Sequence, residues 1–145
     1  MIWTMSPHTR TDGQALRAVE ASLGRLCACT PFFDRFYDVF LASSPKVQEK
    51  FAGTNFYKQK RALQISLYAM LRHMRDQDPE ANEYLGEIAD RHNHTGLNIG
   101  AELYDLWLDS LLAAVKECDP EWTEELAALW ERSMSQGIQY FLSRF

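Results

Sequence analysis

The sequence is poor in residues that interrupt helices and carries no clear strand signal. Only seven glycines and five prolines occur among its 145 residues. No hairpin dipeptide is flanked by alternating apolar residues, whereas apolar residues recur throughout at the spacing of one helical face. We therefore predict an all-α fold. No linker, repeat or low-complexity tract divides the chain, so we expect one domain over residues 12–145, preceded by a flexible extension over residues 1–11.

The chain also lacks a basic excess and a long apolar run. Fifteen Lys and Arg against twenty Asp and Glu give a formal net charge of −5, which argues against a nucleic-acid partner. No apolar stretch is long enough to span a bilayer, so no membrane span is expected. The N-terminus lacks the charged-then-apolar order of a signal peptide, which makes a cytoplasmic location the expectation.

Cysteine is scarce and has no CxxC spacing. Cys27, Cys29 and Cys118 are an odd number, which favours reduced thiols buried in helices over a disulfide framework. A metal site at Cys27 and Cys29 is disfavoured because no second ligand pair follows at matching spacing. A glycine-rich phosphate loop is absent as well.

The four prolines of the expected domain directly follow a residue that can cap a helix. Proline suits the first helical position because the N–H it lacks would have no partner inside the helix. Each of these pairs therefore predicts a helix start: Thr30–Pro31, Ser44–Pro45, Asp78–Pro79 and Asp119–Pro120. A further long helix is expected from near Asn55.

Histidine is the residue left to carry chemistry. His8 lies in the expected extension and His73 falls at a polar helix end, whereas His92 comes late in an amphipathic segment. A solitary histidine near a helix end is more often a surface or capping residue than a metal ligand. His94 competes with His92, but two residues apart on a helix is nearly the opposite face. Gly96 follows His92 by four residues, and this spacing favours His92 over His94 as the metal ligand.

Residues spread over most of the chain form a combined pattern with His92. They are Tyr37, Pro45, Phe51, Gln59, Leu63, His92 and Gly96. The pattern resembles the globin family, and within it the bacterial flavohaemoglobin and single-domain Vitreoscilla-haemoglobin type. The segments RFYDVFLASSPKVQEKF, EIADRHNHTGL and LYDLWLDSLLAAV are similar to family helices, and the resemblance covers about residues 12 to 145. It implies a globin fold, a three-over-three helical sandwich around a haem pocket.

The resemblance implies a set of site residues around haem b. His92 is the expected proximal iron ligand, with Tyr37 and Gln59 facing the bound gas on the distal side. No histidine lies near Gln59, so an open sixth site is expected. The expected pocket walls are Phe36, Phe51, Leu63, Ile88, Arg91, Ile99, Tyr104 and Trp107. Lys58, Lys60, Arg61 and Arg91 are candidates to pair with the haem propionates, with solvated surface as the alternative.

Several functions are compatible with this site. The first is reversible binding of O2, and of NO or CO, with Tyr37 and Gln59 as hydrogen-bond donors. The alternative is an NO dioxygenase that depends on an external reductase, because the chain contains no flavin- or NAD-binding domain. A haem-based gas sensor, or a haem-free globin-fold signalling domain, is the second alternative.

One departure from the flavohaemoglobin type bears on that choice. In those proteins a tyrosine and a glutamate of the last helix make the proximal histidine more electron-donating. Tyr104 resembles that tyrosine, although its connection from His92 is about two residues longer. No acidic residue follows Glu131. The sequence therefore gives weaker support to strong oxygen activation and peroxidase-like chemistry.

Overall fold

The computed structural model describes the backbone of residues 2–29, 31–76 and 78–145, and the side chains of residues 13–29, 31–75 and 78–145. Within these residues every regular element is an α-helix, as predicted. The helices are α1 (Ile2–Ala28), α2 (Phe32–Ser43), α3 (Pro45–Lys50), α4 (Phe56–Asp76), α5 (Pro79–His92), α6 (Ala101–Cys118) and α7 (Glu124–Ser143). The extension expected over residues 1–11, with His8, lies outside the residues whose side chains are described and stays a prediction.

Two of the four proline-based helix starts are confirmed by their capping bonds. The Ser44 side chain accepts from the Lys46 amide at the start of α3. The Asp78 side chain accepts from the Glu80 amide at the start of α5. Pro31 stands directly before α2 without a side-chain cap, and Thr30 lies outside the described residues.

The helix start predicted at Asp119–Pro120 is wrong: α7 begins at Glu124, even though the Asp119 carboxylate accepts from the Glu121 amide at 2.9 Å as a cap would. The carboxylate also has partners elsewhere in the chain. Its Oδ2 accepts from the Ser22 hydroxyl at 2.6 Å and its Oδ1 accepts from Arg25 Nε at 2.8 Å. The Trp130 indole donates to the same Ser22 hydroxyl at 2.9 Å. Helix α7 begins only after Thr123, whose hydroxyl accepts from the Leu126 amide. Asp119 therefore ties α1 to the turn between α6 and α7.

This carboxylate is held in its charged form. Burial alone would raise the pKa of Asp119, but the hydrogen bonds from Arg25 and Ser22 outweigh that effect and hold the pKa below its usual value. Asp119 is 4% exposed. A buried charge of this kind is stable only when paired and hydrogen-bonded, and here it joins three helices at one end of the molecule.

Six of the seven helices that the structure describes form two layers of three, and the short α3 packs against α2. Helices α1, α4 and α5 pack in one layer and α2, α6 and α7 in the other, while α7 also contacts α1, α4 and α5 across the layers. The most extensive packing joins α2 to α6. None of the helices in the described part of the chain combines the length and hydrophobicity that a bilayer crossing requires.

Candidate functional site

A cavity of about 550 Å³ opens between the two layers. Its size falls in the range of cofactor and ligand sites, roughly 300–1,000 Å³, and such sites are mostly apolar with a few converging polar groups. Every predicted site residue except Phe36 lines it. They are Tyr37, Phe51, Gln59, Leu63, Ile88, Arg91, His92, Ile99, Tyr104 and Trp107.

Phe36 lies behind the cavity wall rather than in it. The side chain is fully buried, with its ring centroid 4.9 Å from that of Tyr37 and 6.2 Å from that of Trp107, both edge to face. Phe36 is not among the side chains that line the cavity, whereas Tyr37 and Trp107 are. Phe36 therefore supports two lining residues from behind.

His92 is the last residue of α5 and lines the cavity. Its Nδ1–H donates to the Ile88 carbonyl at 2.8 Å, one helical turn back. This bond satisfies a carbonyl near the helix end, where several lack a partner inside the helix. Among the described residues no protein group pairs with Nε2. The imidazole is therefore oriented by its own helix, with Nε2 free to bind a metal.

The protonation state of His92 suits the same role. Burial lowers the pKa of the imidazole below its usual value; the hydrogen bond to Ile88 opposes this, and the charge of Arg91 lowers it further. The ordinary value is about 6.5, so His92 is neutral at pH 7. A neutral imidazole is the form that ligates metal ions.

The turn after α5 fixes the position of His92. The Asn93 side chain accepts from the amides of Thr95 and Gly96, both at 3.1 Å. The Ile99 amide returns to the His92 carbonyl at 2.9 Å. A Cβ on Gly96 would lie 2.4 Å from the Arg91 carbonyl oxygen, so this close approach requires glycine.

His94 lies outside the cavity. Its side chain is exposed, its Nδ1 hydrogen-bonds with the Phe145 carbonyl, and its ring stacks on the Phe145 ring. His94 thus joins the turn after α5 to the C-terminal residue. Of the two histidines, His92 is therefore the one that lines the cavity.

Tyr37 and Gln59 meet in the same cavity. Tyr37 is 4% exposed and its ring packs edge to face on Phe51 and Phe56. Burial raises the pKa of Tyr37 to about 12, and the hydrogen-bonding influence of the Gln59 side chain opposes the increase. The phenol therefore stays protonated and can donate, while the Gln59 amide offers a second donor beside it.

Comparison with known proteins identifies the family. No family model matches the chain. A solved structure from Pseudomonas aeruginosa PAO1, described as structurally highly homologous to a human hemoglobin, is 39% identical. It matches with a TM-score of 0.85, over 90% of this chain and 98% of the other. The chain belongs to the globin family.

A second relative of this globin is a longer protein. The flavohemoprotein of Oceanobacillus iheyensis is 31% identical over 111 residues, which make up 74% of this chain. The match spans 27% of the flavohemoprotein's length. Both relatives agree with the resemblance to a bacterial globin from which the site residues were predicted.

Tyr104, which lines the globin cavity with His92, has no carboxylate partner among the side chains that the structure describes. Its ring stacks on Phe141 at 5.9 Å, and the His92 ring stacks on the same Phe141 at 6.4 Å. Burial raises the pKa of Tyr104 to about 12. In the described part of the chain, an aromatic ring of α7 thus lies beside both His92 and Tyr104, and a backbone carbonyl is the hydrogen-bond partner of His92.

The cations around the cavity are only partly those predicted. Arg91 lines it, whereas Lys58, Lys60 and Arg61 do not, and Lys60 pairs with Asp34. Lys50, at the end of α3, was missed. Its ammonium donates to the Leu97 carbonyl at 2.6 Å and so joins α3 to the turn after α5 across the cavity mouth.

Other lining residues were missed because nothing in their local pattern separates them from ordinary core. They are Phe40, Val47, Thr54, Ala62, Ser66, Met70, Tyr84, Leu97, Leu103, Ile138 and Phe141. Most lie at the apolar positions of α2 to α7 that the helical spacing assigns to the interior. Only the three-dimensional arrangement shows which part of the interior is empty.

We expect the Gly96→Ala variant to be less stable than the wild type by at least about 1 kcal/mol, because the new methyl group meets backbone. Urea unfolding measures the change in the free energy of unfolding. Gly100→Ala is the matched control, since a Cβ there would have no atom within 4 Å. Equal stability of the two variants would contradict the close approach at Gly96.

Proposed function

We propose that this globin binds haem b in the cavity, with His92 Nε2 as the protein's ligand to the iron. The observation that carries the proposal is that His92 lines the cavity as a neutral imidazole whose Nδ1 is bonded to Ile88, while Nε2 has no protein partner among the described residues. The apolar lining suits the faces of a porphyrin. Arg91 and Lys50 at the cavity mouth offer positive charge to the propionates.

Bound haem would supply an iron site that takes up O2, NO or CO, and we propose reversible O2 binding as the main function. The chain's part is to exclude water and to place donors beside the ligand. Phe51, Leu63 and Trp107 contribute apolar wall. The Tyr37 hydroxyl and the Gln59 amide then donate to a ligand that carries partial negative charge. A hydrogen bond to a charged group contributes about 1.5–3 kcal/mol.

The His92 side favours reversible binding over chemistry that breaks the O–O bond. A histidine whose second nitrogen donates to a carboxylate becomes more basic and a stronger electron donor. Here that nitrogen donates to the neutral Ile88 carbonyl, and the neighbouring α7 side chain is Phe141. We infer weaker donation to the iron than a histidine–carboxylate pair would provide.

His92→Ala should abolish haem binding, because the variant loses the iron ligand and keeps the cavity. We expect the Soret band of protein expressed with haem supplied to disappear, while the pyridine adduct of the wild type gives the spectrum of haem b. His94→Ala is the matched control and should keep the band. A wild type without a Soret band would instead support a haem-free signalling domain.

Tyr37→Phe should accelerate O2 release by roughly 10- to 150-fold, because the bound ligand loses one hydrogen bond to a charged group. Stopped-flow displacement of O2 by CO measures the rate. Tyr104→Phe makes the same chemical change on the His92 side and should alter the rate less than about 3-fold. Unchanged O2 release in Tyr37→Phe would remove the Tyr37 hydroxyl from the ligand's surroundings.

NO dioxygenation is the second candidate, and the flavohemoprotein relative favours it. The same Tyr37 and Gln59 donors would serve it, and an external reductase would have to supply the electrons. We expect the oxygenated protein to consume NO once per haem, with slow turnover when a flavin reductase and NADH are added. Sustained consumption over many equivalents, at a rate set by the reductase, would instead establish the enzyme.

A further inference from the structure

A cleft on the protein surface backs onto the wall of the globin cavity. It lies where the second half of α2, the helix α3 and the start of α4 meet. Six of the described residues line it: Asp38, Leu41, Ala42, Gln48, Phe51 and Phe56. Phe51 also lines the cavity. One aromatic side chain therefore has the cleft on one side and the cavity on the other.

Two phenylalanine rings form this part of the wall. The ring centroids of Phe51 and Phe56 are 5.8 Å apart, and the two rings are tilted by 33°. Tyr37 packs on both: its ring centroid is 5.8 Å from that of Phe51 and 5.3 Å from that of Phe56. Tyr37 lines the cavity and Phe56 lines the cleft. A molecule that passed between the two phenylalanine rings would therefore arrive beside Tyr37.

The two rings differ in how firmly their backbone is held. The Phe51 amide donates to the Val47 and Gln48 carbonyls, both at 3.2 Å, and the Phe51 carbonyl accepts from the Thr54 amide at 3.0 Å. Phe56 is instead the first residue of α4, and the ends of helices open more readily than their interiors. Phe51 is thus the fixed side of the wall, and Phe56 is the side that can move.

The cleft suits an uncharged gas better than the cavity mouth does. Lys50 bridges the mouth through its bond to the Leu97 carbonyl, and Arg91 lines the cavity beside it. In the proposed function these cations pair with the haem propionates, so the mouth would be filled and charged. The lining of the cleft is apolar except for Asp38 and Gln48. O2, NO and CO are weakly polar solutes, and such solutes favour apolar surroundings over water.

We propose that the gas ligand enters the cavity from this cleft, by passing between Phe51 and Phe56. The inference rests on the proposed function, because haem must be present to capture the gas. Movement of the Phe56 ring opens the passage, and the ligand then arrives beside Tyr37. A lower barrier speeds passage by the same factor in both directions. The two rings therefore set how fast the gas binds and leaves, and they leave its affinity unchanged.

Xenon, an apolar atom that needs no iron, tests whether the cleft and the cavity are continuous. Phe56→Ala should leave an apolar space between the cleft and Tyr37, and apolar cavities of this kind bind xenon. Crystals of the Phe56→Ala protein under xenon pressure should therefore hold xenon in contact with both Phe51 and Tyr37, with or without haem. A space closed by the collapse of neighbouring side chains, and free of xenon, would overturn the proposal.

The rates of CO binding to the haem-loaded full chain test the route itself. Flash photolysis measures association, and replacement of CO by NO measures dissociation. Phe56→Ala should raise both rate constants by at least about 3-fold and leave their ratio unchanged, because only the barrier falls. Tyr57→Ala is the matched control: Tyr57 is 74% exposed and lines neither space, so both rates should stay at the wild-type values.

Filling the cleft from outside should have the opposite effect. Ala42 is exposed and lines the cleft but not the cavity. Ala42→Trp should lower both rate constants by at least about 3-fold, again with an unchanged ratio. Ala52→Trp is the control, since Ala52 is exposed and lines neither space.

The outcomes separate this proposal from the proposed function. Wild-type rates in both Phe56→Ala and Ala42→Trp would overturn the route and place the entrance elsewhere, while haem binding would stand. A change in the CO equilibrium constant without matched changes in the two rates would show that the variants act on the ligand's surroundings, and would overturn it as well. A wild type without a Soret band would contradict the proposed function and this inference together.

Discussion

The hydrogen bond from His92 Nδ1 to the Ile88 carbonyl is the interaction on which the site depends. It fixes which ring nitrogen faces the cavity, and it uses a carbonyl that the end of α5 leaves unpaired. The turn after α5 follows from the same arrangement, because Gly96 lets the chain fold back against Arg91. The tautomer and the orientation of His92, the proposed iron ligand, therefore both derive from how one helix ends.

Burial affects the protonation of the donor groups on the wall opposite His92. The low-polarity wall that would exclude water from a haem also raises the pKa of Tyr37 to about 12, so the phenol remains a donor at any ordinary pH. Gln59 adds an amide, which donates without any change in its protonation state. The pKa shifts of Tyr37 and His92 thus both favour the neutral forms of these side chains, which are the forms that the proposed function requires.

The local sequence predicted those features that depend on interactions between residues close together in the chain. Ser44 caps its helix because the acceptor and the proline are adjacent, and His92 stood out because Gly96 follows at a fixed distance. Asp119 has the same local pattern as Ser44 and makes the same bond to the amide two residues on, yet no helix begins there, and its carboxylate also binds Arg25, far away in the chain. The sequence likewise did not show which residues line the cavity, since whether a buried side chain lines a space or packs behind it depends on the other helices.

The crystal structure of the haem-loaded protein is the most direct test of this account. It predicts that His92 Nε2 binds the iron, with Nδ1 still donating to the Ile88 carbonyl. Tyr37 and Gln59 should both lie across the porphyrin from His92. Iron ligated by His94, or a porphyrin with Tyr37 and His92 on the same face, would contradict it.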